Sequence, residues 1–350
     1  MSESYEGRQV VGMDLHRRRS VLVRMTETGE QLETVRISND PEYLRAVMAR
    51  AGESPEVVLE AAYGWYWAAD TLAELGATVH LAHPLGVKMF SYRRVKNDER
   101  DAKDLADLLR MGRLPEAWIA PPATRELRGW VRHRAKLVGL RSSLKCQVHA
   151  ILAAAGITVP MTDLFGAGGR RLLDGARLAP ESRARVDSLL RLIEYLDFEV
   201  ELFARLVTNR LRTDAGYQAI QALPGVGPTL AAVFVAEIGD ITRFARPAQL
   251  TSWAGLTPKH HESDTTLHRG RITKQGSRLV RWAAVEAVQR IPAHHRLGAF
   301  RDQVGARRGR NIGVVAAARE LTELVFYGLR DGRIRRGTTS RPAPPPTAAA

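Results

Sequence analysis

The sequence predicts an α/β domain with a mixed sheet at its N-terminal end, then a long helical segment and a mostly α-helical C-terminal domain. Three observations predict this. Consecutive β-rich runs give way to strands alternating with helices. About thirty residues, "ESRARVDSLLRLIEYLDFEVELFARLVTNRL", contain no Pro or Gly and carry apolar side chains at helical spacing. From Gly216 to about Arg330, helical patterns follow a Gly-rich turn. The boundaries expected are 1–122 for the α/β domain, 123–215 for the helical segment and 216–332 for the C-terminal domain. Residues 333–350, rich in Pro and Ala without periodicity, read as a disordered tail.

Taken in order, "QVVGMDLHRRRSVLVRMTETGEQLETVRIS" reads as three strands joined by short polar turns. "PEYLRAVMARAG" is helical and stops at Gly52. "EVVLEAA" has the apolar, β-branched character of a buried strand. A helix from about Trp65 to Leu75 and the strand "TVHLAH" follow. From Ala123 to about Ala155 the pattern is long, helical and basic, and "GAGG" at 166–169 reads as a break. Leu189, Leu190, Leu192, Ile193, Leu196, Val200, Phe203 and Val207 then mark a long helix packed on a partner helix, of this chain or of another.

Lys plus Arg is 52 against 38 Asp plus Glu, a net charge of +14. Such an excess argues for a polyanionic partner, nucleic acid above all, or else for a basic solvated surface. Cys146 is the single cysteine, which excludes a disulfide framework or a Cys-based zinc site within one chain. The first residues lack a signal pattern, and the longest apolar run is cut by Glu237. A cytoplasmic protein with no membrane partner is expected.

Within this basic chain, "VKNDERDAKDLADLL" is dense in acids. Asn97 or Asp98 is placed to cap a helix running to about Arg110. Asp98 and Asp101 share a face, as do Asp101 and Asp104, whereas Asp107 lies about half a turn away. Alone, this is a solvated acidic face. Two further acids change the weighing. Asp14 ends the first strand, and Glu60 ends "VVLE" inside an apolar run. Asp14 by itself also suits a turn. Carboxylates at two strand ends plus an i, i+3 pair on a later helix form an oxygen-lined site for Mg²⁺, with room for a two-metal arrangement. Bound cations would invert the local charge, so the acids need not repel a nucleic acid.

The C-terminal half carries the basic surfaces. "LPGVGPTLA" resembles the hairpin of helix-hairpin-helix modules, with Gly225 and Gly227 allowing close backbone approach to a phosphate; a plain helix-to-helix turn fits equally. Arg269, Arg271, Lys274, Arg278 and Arg281 occupy a stretch free of acids, flanked by Trp253 and Trp282. A second stretch holds Arg125, Arg128, Arg132, Arg134, Lys136, Arg141 and Lys145, with the first three along one helical stripe. Ser263 sits in the polar loop "HHESDTT", where a serine is ordinarily a turn residue.

The motifs "VVGMDLHRRRSVLV", "VVLEAAYGWYWAADTL", "VKNDERDAKDLADLLR", "LPGVGPTLAAVFVAEIGDITRF", "LTSWAGLTPKHHESD" and "RGRITKQGSRLVRWAAVEA" occur in an order and spacing that resembles the insertion-sequence-one-ten family of DEDD transposases. The resemblance implies an RNase H-like, RuvC-like N-terminal domain whose four metal-binding carboxylates map to Asp14, Glu60, Asp98 and Asp101. It implies a serine nucleophile in the C-terminal domain, which maps to Ser263, with Ser277 in "KQGS" as the fallback. The chain has Asn97 where relatives often have Thr, and Asp264 where many have Gly. The resemblance further implies a recombinase guided by a structured RNA of its own element, bound to donor and target DNA. Its active form would be a tetramer with composite sites, assembled through the long helical segment. On this basis RNA and DNA are expected along 125–145 and DNA at 268–281. Two other readings of the residues stand beside it: a metal-dependent junction nuclease with no covalent intermediate, and a binding protein without catalysis.

Overall fold

A computed structural model describes residues 5, 7–90, 97–264 and 266–334. The tail beyond 334, the segment 91–96 and Thr265 lie outside the described residues. The chain forms two compact units, 1–120 and 121–350.

The first unit is built on β1 (Gln9–Leu15), β2 (Arg19–Thr26), β3 (Gln31–Ser38), α1 (Pro41–Met48), β4 (Glu56–Glu60), α2 (Trp65–Glu74), β5 (Thr78–Ala82), α3 (Pro84–Val87), α4 (Asp98–Arg110) and β6 (Glu116–Ala117). The sheet order is β3-β2-β1-β4-β5-β6. β1, β2 and β3 form an antiparallel meander, β4 and β5 join parallel to β1, and β6 closes the edge antiparallel. That is the RNase H-like arrangement. Val11, Met13, Leu22, Val57 and Leu59 pack one sheet face against α1 and α2. Val10, Val21, Val23 and Met25 pack the other against Ala102 and Ala106 of α4. With both faces covered, the central strands read as near-continuous apolar runs.

The second unit is mostly helical: α5 (Pro122–Ala154), α6 (Ala167–Gly175), α7 (Pro180–Leu211), α8 (Ala215–Gln221), α9 (Pro228–Ile238), α10 (Pro247–Trp253), α11 (Arg278–Gln289), α12 (Arg296–Arg308) and α13 (Arg310–Asp331). A two-stranded hairpin, β7 (Pro258–Ser263) and β8 (Thr266–Ile272), interrupts the helices. The partner of α7 is α5 of the same chain. His133 meets Phe203, Arg141 pairs with Asp197, and Val148 and Ile193 share a core, so the two helices run antiparallel. The buried positions of α7 are Val186, Ile193, Val200 and Val207, spaced seven apart, and Leu211 at its end, while Leu192, Tyr195, Phe198 and Leu206 are exposed. The "GAGG" segment, expected to be a break, instead starts α6: Gly166 is its N-cap, and Gly169 lets the helix seat against the Leu164 carbonyl.

Candidate active site and nucleic-acid interface

The acidic site is assembled by strand register and one close contact. In the β1–β4 pair Met13 lies opposite Leu59, so the next residues on the two parallel strands are Asp14 and Glu60. α4 crosses β1 closely because residue 12 is glycine. A Cβ there would fall 1.8 Å from the carbonyl oxygen of Ala102. Asn97 caps α4 by accepting a bond from the Glu99 amide at 3.1 Å. Asp98, Glu99 and Asp101 then occupy the first turn, where the helix dipole favours negative charge. Asp107 turns away to bond Arg110 at 2.7 Å.

One side chain that sequence reasoning passed over completes the arrangement. His16 Nε2 lies 3.0 Å from Asp14 Oδ2 and 3.3 Å from Asp98 Oδ1. Ligand atoms of Asp14, His16 and Asp98 all fall within 4.8 Å of one another. The signal in the sequence was "DLH": residues two apart at a strand end point the same way. Glu60 is half-buried on the neighbouring strand, and Asp101 stands one turn along α4. Asp101 shares α4 with Asp98 and Glu60 ends the strand beside that of Asp14, but both lie outside the 4.8 Å group. Two carboxylates and an imidazole converging beside a buried strand end suit a divalent cation; oxygen donors take Mg²⁺, and the added nitrogen also suits Mn²⁺.

Ser263 is not in a loop. It is the last residue of β7, paired across the hairpin with Thr266, and its side chain is exposed. Asp264 beside it adopts a left-handed φ of 52°, a conformation that Asp tolerates better than most residues. Ser277 is engaged differently. Its Oγ donates to Glu237 Oε2 at 2.8 Å and accepts from the Val280 amide at 3.3 Å, capping α11.

The basic stretch on α5 divides into two roles, and for part of it the expectation of a polyanion surface is corrected. Arg125 is buried. Arg128 donates to the Ala236 and Glu237 carbonyls at 2.8 and 2.9 Å, closing the C-terminal end of α9. Arg132 grips the Glu237 carboxylate through two bonds at 2.7 and 3.0 Å. Arg128 and Arg132 thus both engage the end of α9, while the Arg132 side chain stays 53% exposed. Burial pushes the Glu237 carboxyl up, but the bonds from Arg132 and Ser277, with Arg128 nearby, outweigh it and hold it below its ordinary value. Farther along, Lys136 is exposed, Arg141 pairs with Asp197, and Lys145 stands over the Phe165 ring at 4.6 Å. Arg134 is half-buried, and its own desolvation and then the nearby Arg141 lower its pKa.

In the second stretch, Arg271, Lys274 and Arg278 are exposed. Arg269 stands on β8 in register with His260. Arg281 instead bonds the Ala254 and Gly276 carbonyls at 3.0 and 3.2 Å. Trp253 packs on Phe244 with Arg243 stacked over both rings, while Trp282 is exposed. Gly225 has a positive φ of 77°, and a Cβ there would fall 2.2 Å from the Ala287 carbonyl oxygen, so packing against α11 accounts for it. Gly227 is the N-cap of α9 and has open space around it.

Against known proteins, residues 11–157 match a family model for DEDD transposases of the IS110 type, and residues 217–304 match the Transposase IS116/IS110/IS902 family. A probable family 20 transposase of Pseudomonas aeruginosa is 29% identical over 65% of this chain and 68% of its own length. The 44.8 kDa protein of insertion element IS116 from Streptomyces clavuligerus is 26% identical over 96% of this chain and 97% of its own. The transposase of element IS1111A from Coxiella burnetii is 24% identical over 91% and 88%. T. thermophilus RuvC in complex with a Holliday junction substrate is similar to 31% of this chain and 99% of its own, at 16% identity and a TM-score of 0.24, a likeness too weak to carry mechanism. Two family models in sequence along one chain, over an RNase H-like sheet with clustered carboxylates, lead to one conclusion: the chain belongs to the IS110 family of DEDD transposases.

Proposed function

We propose that this chain cleaves and rejoins DNA to move an insertion element, with Asp14, Glu60, Asp98 and Asp101 as the metal-binding carboxylates and Ser263 as the nucleophile. The observation that carries the reading is the convergence of Asp14, His16 and Asp98 where α4 crosses β1. A divalent cation held there would act as a Lewis acid on a phosphodiester. The carboxylates would orient that cation, with His16 Nε2, beside Asp14 and Asp98, as a further donor to it. Ser263 Oγ attacks phosphorus, a serine–phosphate bond forms, and the bond to one deoxyribose oxygen breaks. The serine gives up its proton and the leaving oxygen gains one. Reversal by a second strand end restores the diester, so rejoining needs no external energy.

Exposure supports Ser263 over Ser277. The hydroxyl of Ser263 stands at a hairpin end, whereas that of Ser277 is committed to Glu237 and to capping α11. Carboxylates and serine belong to different compact units, and the family resemblance has them meet between chains of a tetramer. The exposed apolar residues Leu192, Tyr195, Phe198 and Leu206 of α7 support such assembly. Guidance by a structured RNA of the element is part of the same reading; exposed Arg271, Lys274 and Arg278 and the net charge of +14 support polyanion binding in general.

The test is a denaturing-gel adduct assay with Mg²⁺ or Mn²⁺, the element's RNA and end-labelled DNA. Wild type should retain label at protein mass, and Ser263→Ala and Asp14→Asn should both lose it. Ser277→Ala should keep the adduct once its lower stability is allowed for. Cleavage equal in wild type and Ser263→Ala, with no adduct, would favour a metal-dependent nuclease instead.

A further inference from the structure

Within the second unit, α5, α7, α9 and the start of α11 enclose a cavity of about 500 Å³. Most of its wall is apolar, with Val131, Val138 and Val233 among its residues. Its polar side chains are Arg134, Arg278, Thr208 and Thr229, and no carboxylate lines it among the described residues. Trp282 forms part of the wall and is 42% exposed.

Four features of this cavity point to one kind of occupant. Its size falls within the range of sites that enclose a small organic group, roughly 300–1,000 Å³. An exposed indole face offers stacking to any planar ring. Two guanidinium groups without an acid between them call for an anion. Arg134 is the more telling: its Nε is buried and bonds nothing among the described residues, and the repulsion from Arg141 is only partly offset by Glu201. The fourth feature is α9, whose N-terminal turn reaches the cavity through Pro228 and Thr229. No side chain caps that turn. Its amide groups therefore add positive potential at the mouth. A flat apolar ring joined to a negative charge is the chemistry of a nucleotide.

We propose that this cavity receives one unstacked nucleotide of a bound nucleic-acid strand, its base against Trp282 and its phosphate between Arg278 and Arg134. The proposal rests on the reading of the chain as a nucleic-acid enzyme and adds a place where a strand is held by a base pulled out of its stack. Such a site is tolerant of sequence, because every base has a π-face. It would hold a distorted or single-stranded segment in preference to a regular duplex, since extrusion from a duplex costs unstacking energy.

The test is binding, measured by fluorescence anisotropy on the full chain. The probes are a labelled oligothymidylate, an abasic oligonucleotide of the same length, and thymidine monophosphate as competitor. Wild type should bind the oligothymidylate about tenfold more tightly than the abasic strand. Trp282→Ala should erase that difference while leaving abasic binding unchanged, and Trp282→Phe should restore most of it. Arg278→Gln should weaken both strands. Unchanged melting of each variant shows that the fold is intact. Equal affinity of wild type for both strands, or an unaltered preference in Trp282→Ala, overturns the pocket and leaves the nucleic-acid reading standing. Failure of wild type to bind either strand removes the nucleic-acid reading itself. Competition by the free mononucleotide at the strand's own affinity would make this a small-nucleotide site and overturn the strand proposal. So would a change in self-association of Trp282→Ala, which would mark the cavity as a contact between copies.

Discussion

Glu237 shows what a single buried charge requires. It is 3% exposed, near the end of α9, and answered by Arg132 and the Ser277 hydroxyl. Its carboxyl titrates below the ordinary value of 4.5. The stabilisation from ionised Glu237 is therefore complete above that value and is lost as pH falls through the lower, folded-state one. Glu237→Gln should lower stability at neutral pH by about 1–3 kcal/mol. It should also flatten the acid limb of a denaturant-midpoint profile below the glutamate range; an acid limb identical to wild type would sink this account. Ser277→Ala should cost about 1 kcal/mol through the lost cap, whereas Ser263→Ala should leave the midpoint in place. The sequence displayed Arg125, Arg128 and Arg132 as a basic stripe, and a basic stripe on a helix reads as a surface. Nothing local reveals that Arg128 and Arg132 bond carbonyls and a carboxylate more than a hundred residues away. His16 was missed for the opposite reason: one histidine between a strand and an arginine run gives no periodic signal.

Among the elements, β1 and α4 decide whether the acidic site exists. The separation of Asp98 from Asp14 depends on helix and strand touching through backbone, with residue 12 as the point of contact. Gly12→Ala should push α4 outward and cost about 3 kcal/mol or more, read as a fall in melting temperature. It should also abolish any Mn²⁺-dependent rise in that temperature, because the helix carries Asp98 and Asp101. Stabilisation by Mn²⁺ equal to wild type would show that the site tolerates the shift. The strands and helices of this unit were legible because their apolar patterns are strong and their order is simple. Helix α7 was legible as a helix, yet its apolar residues read from the sequence mixed two faces; only the contact with α5 separates Ile193, Val200 and Val207 from Leu192. The β7–β8 hairpin was not legible, since "HHESDTTLHRG" lacks the apolar alternation that marks a half-buried strand.

For the whole molecule, a net charge of +14 makes ionic strength the first variable in any binding experiment. Affinity for DNA should fall linearly with salt on logarithmic axes. Replacing exposed Arg271 by Ala should lower the steepness of that line by about one, whereas Arg132→Ala, bound to Glu237, should leave it unchanged. A titration series at several salt concentrations for the two variants separates contact with phosphate from internal pairing. Equal slopes in both variants would place Arg271 outside the interface.

The paired helices α5 and α7 have one more consequence. One end of the pair is rooted in the large core around Leu127 and Val207, and the other in a separate core around Val148, Leu164 and Val186. Helix α5 alone has 33 residues, which at about 1.5 Å per residue gives roughly 50 Å. Against duplex DNA, rising about 3.4 Å per base pair, that is on the order of fifteen base pairs. The pair is therefore a calliper: it sets a spacing on the molecular scale, and a helical insertion or deletion of one turn would reset it by about 5 Å while leaving both anchoring cores as they are.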